Sequence, residues 1–130
     1  MTQPLANQTF IITGANTGIG KITAKELAKQ GAHVILACRS QDKTAAVIEE
    51  IRRDTKNEKV EYIHLDLGDL DSVRACAKDL LDRKIPIHGL VNNAGLAGQR
   101  GQTKDGFEVQ FGTNHLGHYL LARRARYISR

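Results

Sequence analysis

The chain has 130 residues, 41% hydrophobic and 25% charged, with a net charge of +5, the size of one domain or a piece of one. That composition excludes collagen-like, low-complexity and strongly disordered chains, and no apolar run reaches the roughly 18 residues that would span a membrane. The charge excess lies at one end: residues 1–122 hold fifteen Lys and Arg against fourteen Asp and Glu, and Arg123, Arg124, Arg126 and Arg130 supply the rest. A near-neutral body with few aromatics and no Trp argues against a nucleic-acid binder. The stretch from Met1 to Gln8 is too short and polar for a signal peptide, so the expectation is a cytoplasmic protein with Cys38 and Cys76 reduced.

In chain order, Thr9 to Thr13 reads as a buried strand. Gly14 to Gly20 is a glycine-rich turn. A helical pattern follows, with Ile19, Ile22, Leu27 and Ala28 predicted on its apolar face and Gly31 at its C-cap. His33 to Ala37 is a second strand. Ser40 is placed to N-cap a second helix with Thr44, Val47, Ile48 and Ile51 as its stripe. Lys56 to Lys59 reads as a polar connection.

Val60 to Leu65 is a third strand. Asp69 or Asp71 can cap a third helix whose inner face is Val73, Ala77, Leu80 and Leu81, with Cys76 as a small core residue. His88 to Asn92 is a fourth strand, and Gly95 to Gly106 a polar loop. A last helical pattern runs past Phe107, Phe111, His115 and His118. These two histidines are three residues apart, but no ligand-rich segment accompanies them and no metal is predicted.

Alternation of strand and helix four times predicts an α/β fold with a parallel sheet. Right-handed crossovers give a doubly wound, Rossmann-like sheet in the order 3-2-1-4, incomplete for its type. No composition shift divides it, so residues 1–130 read as a single domain with 123–130 as an atypical basic tail.

The strongest motif is Thr13-Gly14-Ala15-Asn16-Thr17-Gly18-Ile19-Gly20, between a strand and a helix. Gly14 permits a tight turn, Gly18 a close approach of pyrophosphate to the backbone, and Gly20 close packing of the helix. Free N–H groups at the helix start face the phosphates. A fold of this kind that prefers NAD usually carries an acidic residue at the end of the second strand. Here Cys38 and Arg39 stand instead. The guanidinium fork of Arg39 suits a 2′-phosphate, so NADP(H) is the expected cofactor, with NAD(H) as the alternative.

These residues resemble the short-chain dehydrogenase/reductase family. TGANTGIG is similar to its TGxxxGxG turn, and Asn92-Asn93-Ala94-Gly95 to its NNAG motif. "VILACRS", "LDL" and "DGFEVQFGTNHLGHYLL" look most like the retinol dehydrogenase and WW-domain oxidoreductase branch. The resemblance covers about residues 7–122 and implies a cofactor cradle of Gly14, Asn16, Thr17, Gly18, Ile19 and Gly20. It places Asp66 beside the adenine, counts Leu67, Asn93, Ala94 and Gly95 among the cofactor-binding residues, and has Asn92 and Ala94 shape the sheet edge and line the cofactor. Asn114 matches the family's active-site helix Asn, which holds a water in a proton relay.

Family chemistry moves a hydride between a nicotinamide and a carbonyl or alcohol carbon, with a Tyr as acid or base, a Lys four residues later and a Ser on the preceding strand. A Tyr needs a nearby cation to be useful near neutral pH. In this chain Tyr62 is followed four residues on by Asp66, Tyr119 by Arg123, and Tyr127 by nothing. The expectation is a cofactor-binding portion that takes a small carbonyl or alcohol substrate only when a second half is supplied. Two alternatives stand beside it: an inactive dinucleotide-binding or regulatory protein, and a fragment that associates through its open sheet edge.

Overall fold

A computed structural model describes residues 3–15, 18–94, 103–107, 117 and 121–122. Four strands, β1 (Thr9–Thr13), β2 (His33–Cys38), β3 (Val60–His64) and β4 (Gly89–Val91), alternate with α1 (Gly18–Lys29), α2 (Gln41–Thr55) and α3 (Leu70–Asp82). The sheet is wholly parallel in the order β3-β2-β1-β4, as the alternation and right-handed crossovers require. Thr9 pairs in register with His33, Ile11 with Leu90, and Val34 with Val60. β3 ends one residue earlier than its apolar run suggests, and β4 is three residues long rather than five.

Both faces of the sheet are covered, which is why β1 and β2 read as unbroken apolar runs. One core joins Ile11, Ile35, Ile63 and Leu65 to Val73, Cys76 and Leu80 of α3 and to Leu121. The other joins Ile12, Val34, Leu36 and Val60 to Ala24 and Ala28 of α1 and Val47, Ile48 and Ile51 of α2. Burial pushes the Cys76 thiol up to about 12, so it stays protonated and packs as a small apolar group.

Helix α2 matches its expected stripe: Thr44, Val47, Ile48 and Ile51 are buried, and Ser40 Oγ accepts from Lys43 N at 3.3 Å. Asp69, rather than Asp71, caps α3, accepting from Asp71 N at 3.0 Å. Two expectations are corrected. Ile19 and Ile22 are 76% and 70% exposed; α1 buries Gly20 and Ala24 in their place, together with the expected Ala28, and the expected Leu27 packs against the same core. Small side chains let α1 lie close against the sheet, and isoleucines on that face would hold it away. Leu81 is exposed, and Cys76 takes the inner position expected for it.

The stretch from Lys56 to Lys59 is the expected polar connection between α2 and β3, with one buried residue. Asn57 is buried there, donating from Nδ2 to the carbonyls of Ala28 (2.9 Å) and Ala32 (2.8 Å) while Oδ1 accepts from Lys59 N (2.9 Å). It ties the last turn of α1 to the residue before β2, and the Ala28 carbonyl accepts from Gly31 N (3.0 Å) as well. Among the described residues no helix is long and apolar enough to cross a membrane. The basic tail, Tyr119 and the two C-terminal histidines lie outside the described residues.

Candidate dinucleotide site

The sheet order reverses between β1 and β4, and ligands of doubly wound folds bind outside the carboxyl ends of the strands at such a point. Four segments leave the sheet there: the turn after β1, Arg39 after β2, Asp66 after β3 and Asn92 to Ala94 after β4. Two backbone bonds keep the ends level, Gly14 N to the Ala37 carbonyl (3.1 Å) and Leu65 N to the Cys38 carbonyl (3.0 Å).

The glycine turn and the NNAG segment are one bonded unit. Thr13 is fully buried, and its Oγ1 accepts from Asn93 N and Ala94 N, both at 3.0 Å, while donating to the Val91 carbonyl at 3.4 Å. Asn93 Nδ2 donates to the Gly14 carbonyl at 3.2 Å. Thr13 was not among the expected site residues. Its signal was a hydroxyl at the last position of an apolar strand, where a burial without partners would be costly.

Each glycine has its own reason. A Cβ on Gly14 would stand 2.7 Å from that of Ala94, and one on Gly20 would collide with Asn93 Nδ2 and lie 2.9 Å from the Gly14 carbonyl oxygen. Gly20 thus packs against the end of β4 and the turn, not only against the sheet. Gly18 has φ +58°, and a Cβ there would meet nothing within 4 Å. The space above the first turn of α1 is open, and the backbone there adopts the left-handed region that favours glycine.

Arg39 is exposed and makes no hydrogen bond or ion pair among the described residues. The other described arginines are engaged: Arg52 with the Val60 carbonyl, Arg53 with Asp54, Arg74 with Asp71, and Arg83 with Asp79 and Glu61. No carboxylate stands beside Arg39 in sequence, where Cys38 and Ser40 flank it.

Asp66 Oδ1 accepts from Gly68 N at 2.9 Å, and Asp66 N donates to Ser72 Oγ at 2.9 Å. The carboxylate makes no other bond among the described residues. The Leu67 side chain is buried in the core, so only its backbone is left for a cofactor. Ile19 is exposed at the mouth of the site. Asn92 is exposed, and Asn93 makes the structural bonds. Asn16, Thr17, Gly95 and Asn114 lie outside the described residues.

With this geometry in place, the short chain dehydrogenase family profile matches residues 8–127. The chain belongs to the short chain dehydrogenase family. Within it, the chain is 50% identical to human retinol dehydrogenase 11 over 121 residues, covering 92% of this chain and 38% of that protein. It is 48% identical to human retinol dehydrogenase 13 over 118 residues, covering 90% of this chain and 36% of that protein. The chain therefore spans little more than a third of the length of these short chain dehydrogenases. Among solved structures, the citronellol catabolism dehydrogenase of Pseudomonas aeruginosa PAO1 aligns with a TM-score of 0.82 at 35% identity, over 99% of this chain and 53% of that one.

Proposed function

We propose that this chain is the NADP(H)-binding portion of a short chain dehydrogenase whose whole reaction moves a hydride between cofactor and a carbonyl or alcohol carbon. The observation that carries the cofactor choice is the Arg39 guanidinium at the end of β2, which has no partner among the described residues and no carboxylate beside it in sequence to repel a 2′-phosphate. The open backbone at Gly18 fits a pyrophosphate at the start of α1, and Asp66 Oδ2, unbonded among the described residues, fits an adenine amine. A bound nicotinamide would supply or accept the hydride, and Gly18, Arg39 and Asp66 would hold the pyrophosphate and adenosine portion of the cofactor. The retinol dehydrogenases named above make retinoids the first substrates to try.

Titrating the chain with NADPH and NADH tests this. NADPH should bind about ten- to a hundredfold more tightly, the range expected for a charge-assisted phosphate contact. Arg39→Asp should remove that advantage and spare or improve NADH. Equal affinities in the starting chain would refute the cofactor choice. These 130 residues contain no Tyr with a Lys four positions on. They should therefore bind dinucleotide without useful turnover, since a missing general acid lowers rates by about 10²- to 10⁴-fold. Robust oxidation of NADPH by an aldehyde, ketone or retinoid panel would overturn that expectation.

A further inference from the structure

Residues Thr103 to Phe107 form a turn closed on itself. Thr103 N donates to the Phe107 carbonyl (2.7 Å), Gly106 N to the Thr103 carbonyl (3.0 Å), and Phe107 N to Thr103 Oγ1 (3.2 Å). This turn is fastened to residues 35 positions earlier in the chain. Leu70 N, at the start of α3, donates to Asp105 Oδ2 at 2.8 Å. Lys104 N donates to the Gly68 carbonyl at 3.3 Å, and Lys104 Nζ lies 3.4 Å from Asp69 Oδ2 and 3.7 Å from Asp71 Oδ2.

The segment gripped in this way follows directly from Asp66, whose own carboxylate holds Gly68 N. A second grip lies further along the chain. A Cβ on Gly117 would collide with the Leu67 carbonyl oxygen, and Leu121 is fully buried in the core that contains Leu67. The turn after β3 is thus held from both sides of the stretch between Phe107 and Gly117, and Asn114 falls within that stretch.

We propose that Asp105 is a positioning residue for dinucleotide binding: through the Leu70 amide it sets the Asp66–Gly68 turn at the adenine end of the site. The proposal rests on the dinucleotide reading above. The Asp105 bond is exposed, and an exposed bond exchanges readily with water, so its net effect on global stability is small. Its effect on where Asp66 stands is larger, because the Lys104 and Asp105 contacts are the ones that tie residues 68–71 to the 103–107 turn.

The test compares Asp105→Ala and Asp105→Asn with the parent in NADPH and 2′,5′-ADP titrations, thermal melts and amide hydrogen exchange. Asp105→Ala should weaken both ligands by about three- to tenfold, speed exchange at Leu70 and Gly68, and barely move the melting temperature. Asp105→Asn keeps an Oδ acceptor for Leu70 N and should bind within about twofold of the parent. Unchanged ligand affinity in Asp105→Ala, with Leu70 exchange accelerated, would show a merely structural clamp and overturn the proposal. Equal weakening in both variants would overturn it too, by assigning the effect to charge. A parent chain that binds neither ligand would remove the dinucleotide reading itself, a failure distinct from either of these.

Discussion

At the amino end of the sheet the charges are paired, and at the carboxyl end a cation has no partner among the described residues. His33 Nε2 lies 2.5 Å from Glu61 Oε2 at the start of β2 and β3, Arg83 bonds the other Glu61 oxygen, and Arg83 Nε bonds Asp79 at 3.0 Å. His88 Nδ1 accepts from Thr9 N at 2.9 Å, and Asn57 fills three hydrogen bonds nearby. At the carboxyl end, among the described residues, Arg39 has no partner, Gly18 faces open space, and Asp66 keeps one oxygen unbonded. The contrast separates what holds the fold from what is held ready for a ligand. Satisfied polar groups stabilise, whereas groups left unpaired on a rigid frame are ready for one.

The strongest way to break the comparison is at Gly20. Gly20→Ala places a methyl group against Asn93 Nδ2 and 2.9 Å from the Gly14 carbonyl oxygen. Both belong to the rigid unit tied by Thr13, so the turn itself must shift. Overpacking of this kind amounts to about 1–3 kcal/mol, and concentrated at the turn it should weaken NADPH about ten- to a hundredfold. Isothermal titration checks it, and an unchanged dissociation constant would mean that the turn does not form the phosphate cradle.

The mirror-image change belongs to the other end. Asn57→Ala removes the side-chain donor to the Ala32 carbonyl and the acceptor for the Lys59 amide, while the Ala28 carbonyl keeps its bond from Gly31 N. Leaving buried polar groups unpaired should lower stability by about 1–3 kcal/mol, read as a fall in the urea midpoint. NADPH affinity of the folded variant should stay at the parent value. A loss of affinity equal to that of the Gly20 variant would show that the two ends are not independent.

A smaller effect comes from pH. Burial pushes the Glu61 carboxyl up, but its hydrogen bonds to His33 and Arg83 outweigh that, and the net position is below the ordinary glutamate value. A carboxylate lowered by folding stabilises the native state above its unfolded value, and that contribution disappears as pH falls through the folded value. The urea midpoint should therefore drop between about pH 6 and about pH 3 more steeply in the parent than in Glu61→Gln. Parallel curves would show that the pairing with His33, Arg83 and, through it, Asp79 contributes nothing.

Much of this contrast was legible in the sequence, and the reason lies in periodicity. Buried parallel strands leave continuous apolar runs, and TGANTGIG between β1 and α1 marks the carboxyl end, so the order 3-2-1-4 and the place of Arg39 follow from pattern alone. What was not legible depends on contacts between distant residues. The Thr13 hydroxyl finds Asn93 and Ala94 some 80 residues on, and Asn57 reaches back to α1; neither leaves a periodic trace. The tie between Asp105 and Leu70 is of the same kind.

Helix α1 gives the smallest predicted effect and the clearest test of how periodicity can mislead. Its large apolar residues suggest an inner face through Ile19 and Ile22, yet these are 76% and 70% exposed. The inner face is Gly20, Ala24 and Ala28, small enough for the helix to settle against β1 and β2. A hydrophobicity count rewards isoleucine over alanine and so turns the helix the wrong way, although packing density favours the small residues. If Ile22 faced the core, replacing it with a charged side chain would lower stability by several kcal/mol, through lost burial and an unpaired charge. On an exposed position, Ile22→Lys should leave the urea midpoint within about 0.5 kcal/mol of the parent, helped slightly by the better helix propensity of lysine. Ala24→Leu is the paired control: it enlarges a fully buried side chain and should lower stability by about 1–3 kcal/mol. A severe loss in Ile22→Lys beside a mild one in Ala24→Leu would restore the isoleucine face and rotate α1 about its axis, taking Gly20 out of its contact with Asn93 and with it the account of how the two motifs meet.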